Sequence, residues 1–336
     1  MFVYAIAFVF YVIDLANRSG NVSGMAAATG SEASGSVVRS AQSSSAAMNT
    51  SSASSTATLT RSEPEHNESS RNEQTRADSP RSRSRALRIG FSLTVLGFIL
   101  HFAATVMRGI GAERVPFANM YEFALTATLA IVGIFIVSQF FVDLRFLGAL
   151  ITGLAVLFLG ISKINFYVAI VPLPPALDSY WLVIHILVAV LAVGFLTLSF
   201  GLSVLQLLQT RREHQATLGL APTGFARAIR SLPDSIRLED LAYRMAIIGF
   251  VFWSFTLIAG SIWAERAWSR YWGWDVKEVW TFVIWVLYAG FIHARATAGW
   301  RGTRSAWLSI IAYSAIIFNY TIVNVFFKGL HAYSGL

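Results

Sequence analysis

The sequence predicts an all-α, polytopic membrane helix bundle with about eight transmembrane helices. Of its 336 residues, 55% are hydrophobic and only 13% are charged, and the mean hydropathy is +0.57. A bilayer core about 30 Å thick needs roughly 20 apolar residues per helical span, and seven apolar runs reach that length. They begin near Gly90, Tyr121, Asp143, Tyr180, Tyr243, Glu278 and Ser305.

Two further segments precede these seven runs. Residues 1–16 are apolar but lack the basic region and cleavage site of a signal peptide, so we expect a first transmembrane span cut short by the start of the chain. Residues 17–88 are rich in Ser, Ala, Thr, Asn and Arg and hold almost no large apolar side chains. Such a composition does not offset the entropy of ordering a backbone, which predicts a disordered cytoplasmic linker. Residues 89–336 then form the seven-span domain.

The basic residues predict which ends of the helices face the cytoplasm, because cytoplasmic segments retain Lys and Arg. With the linker inside, segments 18–88, 141–146, 209–244 and 294–304 hold 19 of the 26 Lys and Arg residues. The linker alone supplies nine of these, and long segments count less in this rule. The interpretation is an N-out, C-out protein whose net charge of +8 reflects topology and not nucleic-acid binding.

The segment Trp263–Trp280 connects two of the apolar runs and holds five of the ten tryptophans. An interfacial aromatic belt places Trp and Tyr at the ends of spans, and five in one external loop exceed that expectation. Four of them (Trp263, Trp268, Trp272 and Trp274) together with the cations Arg266, Arg270 and Lys277 suit a large planar ligand that carries carboxylates, and haem is the candidate. An oversized belt or a partner-docking surface is the alternative.

Asp275 and Glu278 lie one helical turn apart at the start of the next run. We expect them to cap that helix and complement its dipole. Asp275 is also a candidate to fix Arg266 or Arg270 toward the haem propionates, because an arginine can bind a carboxylate with two parallel hydrogen bonds.

Four histidines separate into layers when residues are counted from the helix ends at ~1.5 Å each. His185 and His331 lie near the outer surface on the side of the tryptophan-rich segment, as two axial ligands of a haem iron would. His293 lies near the cytoplasmic face and His101 near mid-membrane, where ionisable residues are costly and become functional candidates. The alternative for each is an ordinary hydrogen bond to a neighbouring helix or an interfacial anchor.

The chain contains no cysteine, which excludes disulfides, zinc–thiolate sites and thiolate ligation of haem. It also contains no Walker loop and no His-Glu-x-x-His motif. It also lacks a Gly-x-Gly-x-x-Gly motif in the context of a dinucleotide-binding fold, so the sequence predicts neither ATP hydrolysis nor nicotinamide chemistry.

Residues 268–280 resemble the tryptophan-rich WWD signature of haem-handling proteins. Together with Asn-Met-Tyr-Glu at 119–122 and Gly-Leu-His-Ala-Tyr at 329–333, they make the chain similar to the CcsA/ResC family of system II cytochrome c biogenesis proteins over roughly residues 90–336. Val276 replaces a proline that is common in relatives, and Ser269 replaces a frequent glycine. We expect both differences to be mild.

The resemblance implies a multi-pass protein of the bacterial cell membrane that presents haem b at the outer face. There the haem is attached covalently to the Cys-x-x-Cys-His motif of apocytochrome c. His185 and His331 would be the outer axial ligands, and His293 would belong to a second, transmembrane haem site completed by a ResB-type membrane partner. The chain would act within a holocytochrome c synthase complex, served by a thioredoxin-like protein that reduces the thiols. No residue of this chain need act as a nucleophile.

Two other functions remain open at the level of sequence. A respiratory haem b electron-transfer subunit would pair histidines on facing helices within the bundle. A transporter with a tryptophan-rich gate would line its spans with polar or charged residues, which are scarce in this sequence.

Overall fold

The computed structural model describes residues 1–17, 85–170, 178–220, 226, 229–327 and 329–330. Within these ranges the secondary structure is helical and includes no β-strand. The main helices are α1 (Phe2–Asn17), α2 (Arg85–Ala112), α3 (Met120–Ser138), α4 (Gly148–Asn165), α5 (Tyr180–Thr217), α6 (Ser235–Trp268), α7 (Val276–Ala296) and α8 (Thr303–Phe318). A π-helical turn (Asn319–Val323) and a final turn (Asn324–Phe326) extend α8.

Seven of the described helices, α2 to α8, are long and apolar enough to cross a membrane, which confirms the all-α polytopic class. The largest difference from the sequence prediction is in α6, which begins at Ser235 and not near Tyr243. Asp234 caps this helix by accepting the backbone N–H of Arg237 at 2.7 Å, so polar turns precede the apolar run. The predicted linker lies mostly outside the described residues, although its last four residues already belong to α2.

The long helices α5 and α6 pack side by side at the centre of the bundle. Their 38 and 34 residues correspond to about 57 and 51 Å, well beyond a bilayer core. Gly249 of α6 makes the close approach possible, because a Cβ there would lie 2.6 Å from a methyl carbon of Leu196 on α5. At the far end, Glu213 accepts hydrogen bonds from the backbone N–H and the hydroxyl of Ser235, which closes the α5–α6 hairpin.

Helix α1 lies in a groove formed by glycines of α2 and α4. Its side chains Tyr4 and Tyr11 are 1% and 4% exposed. They pack against glycine backbone, where larger residues of α2 and α4 would place their side chains. The 16 residues of α1 reach about 24 Å, short of a full bilayer core. The groove glycines are Gly90 and Gly97 of α2 and Gly148, Gly153 and Gly160 of α4.

The end of the bundle opposite the tryptophan-rich segment is held by an ion-pair network. Arg295 of α7 contacts Glu239 at 3.1 Å and Asp240 at 2.5 Å, both on α6. Glu239 also accepts the backbone N–H of Gly302 at 2.8 Å, just before α8. This network connects the ends of α6, α7 and α8 to one another. The candidate site lies at the opposite end of the bundle.

Candidate functional site

A cavity of about 370 Å³ opens into the bundle at the end that carries the tryptophan-rich segment. Because consecutive helices run in opposite directions, the N-terminal parts of α3, α5 and α7 and the C-terminal parts of α4, α6 and α8 surround it together. The wall is mostly apolar and aromatic, with a few polar groups that include His185, Lys277 and Asn319. Its volume lies at the lower end of the range of small-molecule sites, roughly 300–1,000 Å³.

His185 lies on the cavity wall in the second turn of α5. Its Nδ1 is 3.0 Å from the carbonyl oxygen of Thr256 on α6. A carbonyl oxygen can only accept, so in the neutral ring Nδ1 carries the proton and Nε2 carries the lone pair. Histidines that bind metals are commonly oriented by such a hydrogen bond from the other ring nitrogen. The hydrogen bond to Thr256 therefore assigns the Nδ1–H tautomer, in which Nε2 is the nitrogen that can bind a metal.

Gly260 and Trp263 of α6 define the space for the His185 ring. A Cβ at Gly260 would lie 2.8 Å from His185 Cε1, so only glycine leaves room for the imidazole. The Trp263 ring, 1% exposed, stacks on the imidazole with centroids 5.9 Å apart and planes at 16°. The ring is thus confined from two sides by one helix.

The loop between α6 and α7 is shorter than the sequence predicts. Only residues 269–275 are outside the helices, since Trp263–Trp268 end α6 and residues 276–280 begin α7. Ser269 and Trp274 have φ angles of 55° and 57°, the left-handed region that costs L-residues roughly 1–2 kcal/mol. A bulky residue held in this conformation indicates a loop whose shape is imposed by its contacts.

Glu278 holds this loop from within. Its Oε2 accepts the backbone N–H groups of Gly273 at 2.8 Å and Asp275 at 3.0 Å, while the residue is only 8% exposed. Asp275 is the N-cap residue of α7, in a capping box with Glu278. The capping role predicted for these two carboxylates is confirmed.

The tryptophans of the segment take separate positions and do not form one flat face. Trp263 and Trp268 pack edge to face with ring centroids 4.8 Å apart, and Trp263 lies beside His185. Trp272 lines the cavity and contacts Trp274 edge to face at 6.0 Å. Trp274 is 77% exposed, so it is the member of the set that faces outward.

The two arginines predicted to face haem propionates are at the surface. The Arg266 side chain is 63% exposed and lies 3.6 Å from Glu265. Arg270 is also exposed and packs over Gly273, where a Cβ would overlap its guanidinium. Neither arginine belongs to the cavity wall.

The C-terminal segment meets the tryptophan-rich loop at Asp275. The backbone N–H of Leu330 donates to Asp275 Oδ1 at 3.3 Å, and Gly329 leaves no room for a Cβ beside the same oxygen. His331, predicted as the second axial ligand, lies outside the described residues.

Lys277 and two asparagines form a polar corner of the cavity region that sequence reasoning largely missed. The Lys277 Nζ donates to the carbonyl oxygen of Asn319 at 2.9 Å and to Oδ1 of Asn324 at 2.6 Å. Asn319 opens the π-helical turn, a feature that often marks functional sites. This turn was not predicted from the sequence.

The Asn-Met-Tyr-Glu segment anchors α3 beside the cavity. Asn119 caps α3 by accepting the N–H of Glu122 at 2.9 Å. The fully buried Glu122 carboxylate pairs with Arg108 at 3.0 Å and with Arg114 at 2.8 Å. Tyr320 of the π-helical turn donates its hydroxyl to the carbonyl of Met120 at 2.9 Å, so α3 and the end of α8 are fixed to each other.

His293 and His101 lie away from this cavity. His293 is exposed on α7, about 26 Å along the helix from Val276. His101 is 7% exposed on α2, with Nδ1 3.4 Å from the Tyr4 hydroxyl. Across the ranges that the structure covers, no three His, Cys, Asp or Glu residues come together as a metal site. A single imidazole on an apolar wall is better suited to bind a metal that a macrocycle already holds than to bind a free metal ion.

Comparisons with known proteins give one consistent result. Residues 117–331 match the family described as Cytochrome C assembly protein. The chain is similar to the "Cytochrome c biogenesis protein CcsA" of Guillardia theta, with 30% identity over 260 residues that cover 74% of this chain and 86% of that protein. The protein of the same name from Trieres chinensis is 30% identical over 271 residues (74% and 87%), and that from Gloeobacter violaceus 27% over 274 residues (68% and 81%).

Proposed function

This chain belongs to the Cytochrome C assembly protein family, as a multi-pass membrane protein of the CcsA group, and we propose how it takes part in cytochrome c maturation. In this proposal it binds haem b in the cavity beside the tryptophan-rich loop and presents it for covalent attachment to apocytochrome c. The observation that carries the proposal is His185, whose Nδ1–H is held by the Thr256 carbonyl so that Nε2 is the ligating nitrogen.

The cavity wall fits a porphyrin in its chemistry. Its apolar and aromatic surface accommodates the macrocycle and keeps water from the ligated face. Trp272 at the mouth offers an aromatic edge, and the exposed Trp274 extends the same surface outward. A volume of about 370 Å³ leaves part of a large planar ligand outside the cavity, where a second protein can reach it.

His331 completes the iron site in this proposal as the second axial ligand. The support is the family resemblance of residues 329–333 and the anchoring of Leu330 to Asp275, at the same loop that borders His185. Two imidazoles hold the iron until the histidine of the apocytochrome Cys-x-x-Cys-His motif displaces one of them. The haem is then handed over and not released.

The covalent step joins each haem vinyl group to a cysteine thiol of the apocytochrome, and the thiol hydrogen is retained in the thioether product. This chain contributes no nucleophile. It contributes fixed orientation, since holding reacting groups in near-attack geometry can lower a barrier by several kcal/mol. The confined His185 ring and the loop fixed by Glu278 are the parts of the chain that provide this rigidity.

The membrane arrangement follows from the same proposal. The cavity end of the bundle faces the extracytoplasmic side of the bacterial cell membrane, and the Arg295 network lies at the cytoplasmic end. Helix α1 completes an eighth span, and residues 17–88 link it to the haem-handling domain on the cytoplasmic side. His293, exposed near the cytoplasmic end, belongs to a second haem site that a ResB-type membrane protein completes. Apocytochrome c and a thioredoxin-like reductant of its thiols are the further partners.

A respiratory haem b subunit is not favoured by the described residues. Such a protein encloses haem between histidines on facing helices. His185, His101 and His293 instead lie at different depths on α5, α2 and α7, and only His185 lines the cavity.

The test is an absorption spectrum of the chain purified with its membrane partner, compared with His185→Gly and His331→Gly variants with and without imidazole. We expect the absorption bands of reduced haem b in the unmodified complex. Both variants should lose these bands and recover them when imidazole is added. His214→Gly, at the exposed opposite end of α5, is the matched control and should keep its haem. Full haem occupancy and normal cytochrome c maturation in both axial variants would refute the proposed ligands.

A further inference from the structure

Lys277 places a partly buried basic side chain at the wall of the cavity. It lies in the first turn of α7, and both of its hydrogen-bond acceptors, the Asn319 carbonyl and Asn324 Oδ1, are neutral oxygens. Over the part of the chain that the structure covers, no carboxylate oxygen lies within 4.0 Å of this nitrogen. The Asp275 carboxylate interacts electrostatically with the Lys277 amine from a longer distance. An ammonium withdrawn from water without an ion-pair partner is costly, and an anionic ligand would remove that cost.

The Asn319 side chain adds a second polar group at the same place. It is 5% exposed, borders the cavity, and its Oδ1 is buried without a hydrogen-bond partner in the described structure. An amide has one accepting and one donating end, and a half-turn about its last side-chain bond exchanges them. Asn319 can therefore present its NH₂ group to a carboxylate that Lys277 binds.

His185, in the second turn of α5, and Lys277, in the first turn of α7, both border the cavity beside the tryptophan-rich loop. A flat ligand bound through its centre at His185 can therefore direct one edge toward Lys277. Arg266 and Arg270 are exposed and do not border this space. Among the described residues, Lys277 is the basic side chain that does.

We infer that Lys277, assisted by the Asn319 amide, binds one propionate carboxylate of the haem that His185 ligates. The inference rests on the proposed function and adds to it a residue that sets orientation. Axial ligation alone leaves the macrocycle free to turn about the bond from iron to nitrogen. Propionates and vinyl groups occupy different edges of the porphyrin, so fixing a propionate at Lys277 also fixes which edge offers its vinyl groups at the mouth.

The test compares haem with haem dimethyl ester, which has the same macrocycle and iron but no carboxylate charge. The full chain, purified in detergent, is titrated with each compound, and affinity is read from the Soret band. We expect the unsubstituted protein to bind haem about 10- to 100-fold more tightly than the diester, as charge-assisted hydrogen bonds imply. Lys277→Gln should lose this preference and keep its affinity for the diester, whereas Lys277→Arg should retain most of the preference.

Lys163→Gln is the matched control. This lysine lies at the same end of the bundle, where its Nζ is 3.6 Å from the centroid of the Tyr167 ring, and it does not border the cavity. It should keep the full preference for haem. Equal affinity of the unsubstituted protein for haem and diester, or an undiminished preference in Lys277→Gln, would overturn the inference. The first of these results needs no substitution, so misfolding of a variant cannot conceal it.

The two proposals fail in different ways. A Soret band that is unaffected by His185→Gly would contradict the proposed axial ligand. A band that depends on His185 but shows no carboxylate preference would leave the proposed function intact and remove only the role of Lys277.

Discussion

Replacing Gly260 by alanine should weaken haem binding through His185 without touching the haem itself. The new Cβ would lie 2.8 Å from Cε1 and 2.9 Å from Nδ1 of the imidazole, while ordinary contact begins at 3.4 Å. The ring must therefore move by about 0.6 Å. Moving away from α6 would stretch the 3.0 Å hydrogen bond to the Thr256 carbonyl to about 3.6 Å, beyond hydrogen-bond range.

The expected loss is about tenfold or more in haem affinity, because the ligating nitrogen is displaced and its tautomer is no longer fixed. Stability should change less. Overpacking costs about 1–3 kcal/mol, and replacing a helical glycine by alanine recovers about 0.5–1 kcal/mol. Haem titration followed at the Soret band and thermal unfolding of the same preparation separate the two effects.

Gly290→Ala is the matched control, since a Cβ at that position on α7 meets nothing within 4 Å. It should bind haem as the unsubstituted protein does. If Gly260→Ala retained full haem affinity and an unchanged spectrum, the confined His185 ring could not be the ligand that we propose.

Three further substitutions and two comparison variants test how the site is supported. Glu122→Gln leaves two partly buried arginines without the buried carboxylate that they share, and should cost about 3–5 kcal/mol in the free energy of unfolding. Asp143→Asn, which removes an exposed ion-pair partner, should cost close to nothing in the same denaturation assay. Ser269→Gly removes a left-handed serine and should raise the melting temperature by the equivalent of about 1 kcal/mol, with haem affinity unchanged; a lower melting temperature would contradict this. Trp263→Ala should cost about 3–5 kcal/mol and weaken haem binding because the fully buried ring supports His185. Trp274→Ala, at 77% exposure, should leave the melting temperature unchanged while it weakens haem presentation and cytochrome c maturation, which a heat-shift assay and a haem stain distinguish.

The sequence predicted the helices well because each depends on a local pattern. Long apolar runs specify spans whatever surrounds them, and Asp275 and Glu278 are recognisable as caps from their spacing alone. Helix α6 was predicted to begin too late because its first turns are polar and are fixed by the Asp234 cap and by contacts beyond the membrane core. Hydropathy carries no information about such turns.

The candidate site was harder to predict because its geometry depends on contacts between distant segments. His185 could be singled out, but nothing in the sequence indicates that its ring would pack against Gly260 and hydrogen-bond to the Thr256 carbonyl. Because the tryptophans are close in sequence, we expected them to form one surface. In the structure, Trp263 is buried at the end of α6 and Trp274 is exposed in the loop. At such a site, the composition of the sequence suggests the class of ligand, whereas the packing of the helices determines which residues can contact it.

The glycine groove that receives α1 makes this helix comparable to a bound transmembrane peptide. In a bilayer, association of helices depends on how closely their backbones approach, and small residues at the contact determine the partner. The information for docking α1 therefore resides in the shape of the groove and in Tyr4 and Tyr11, and not in the covalent connection to α2. A chain divided between residues 17 and 85 should reassemble from two separately inserted fragments, which would allow the first helix to be exchanged, labelled or titrated independently of helices α2 to α8.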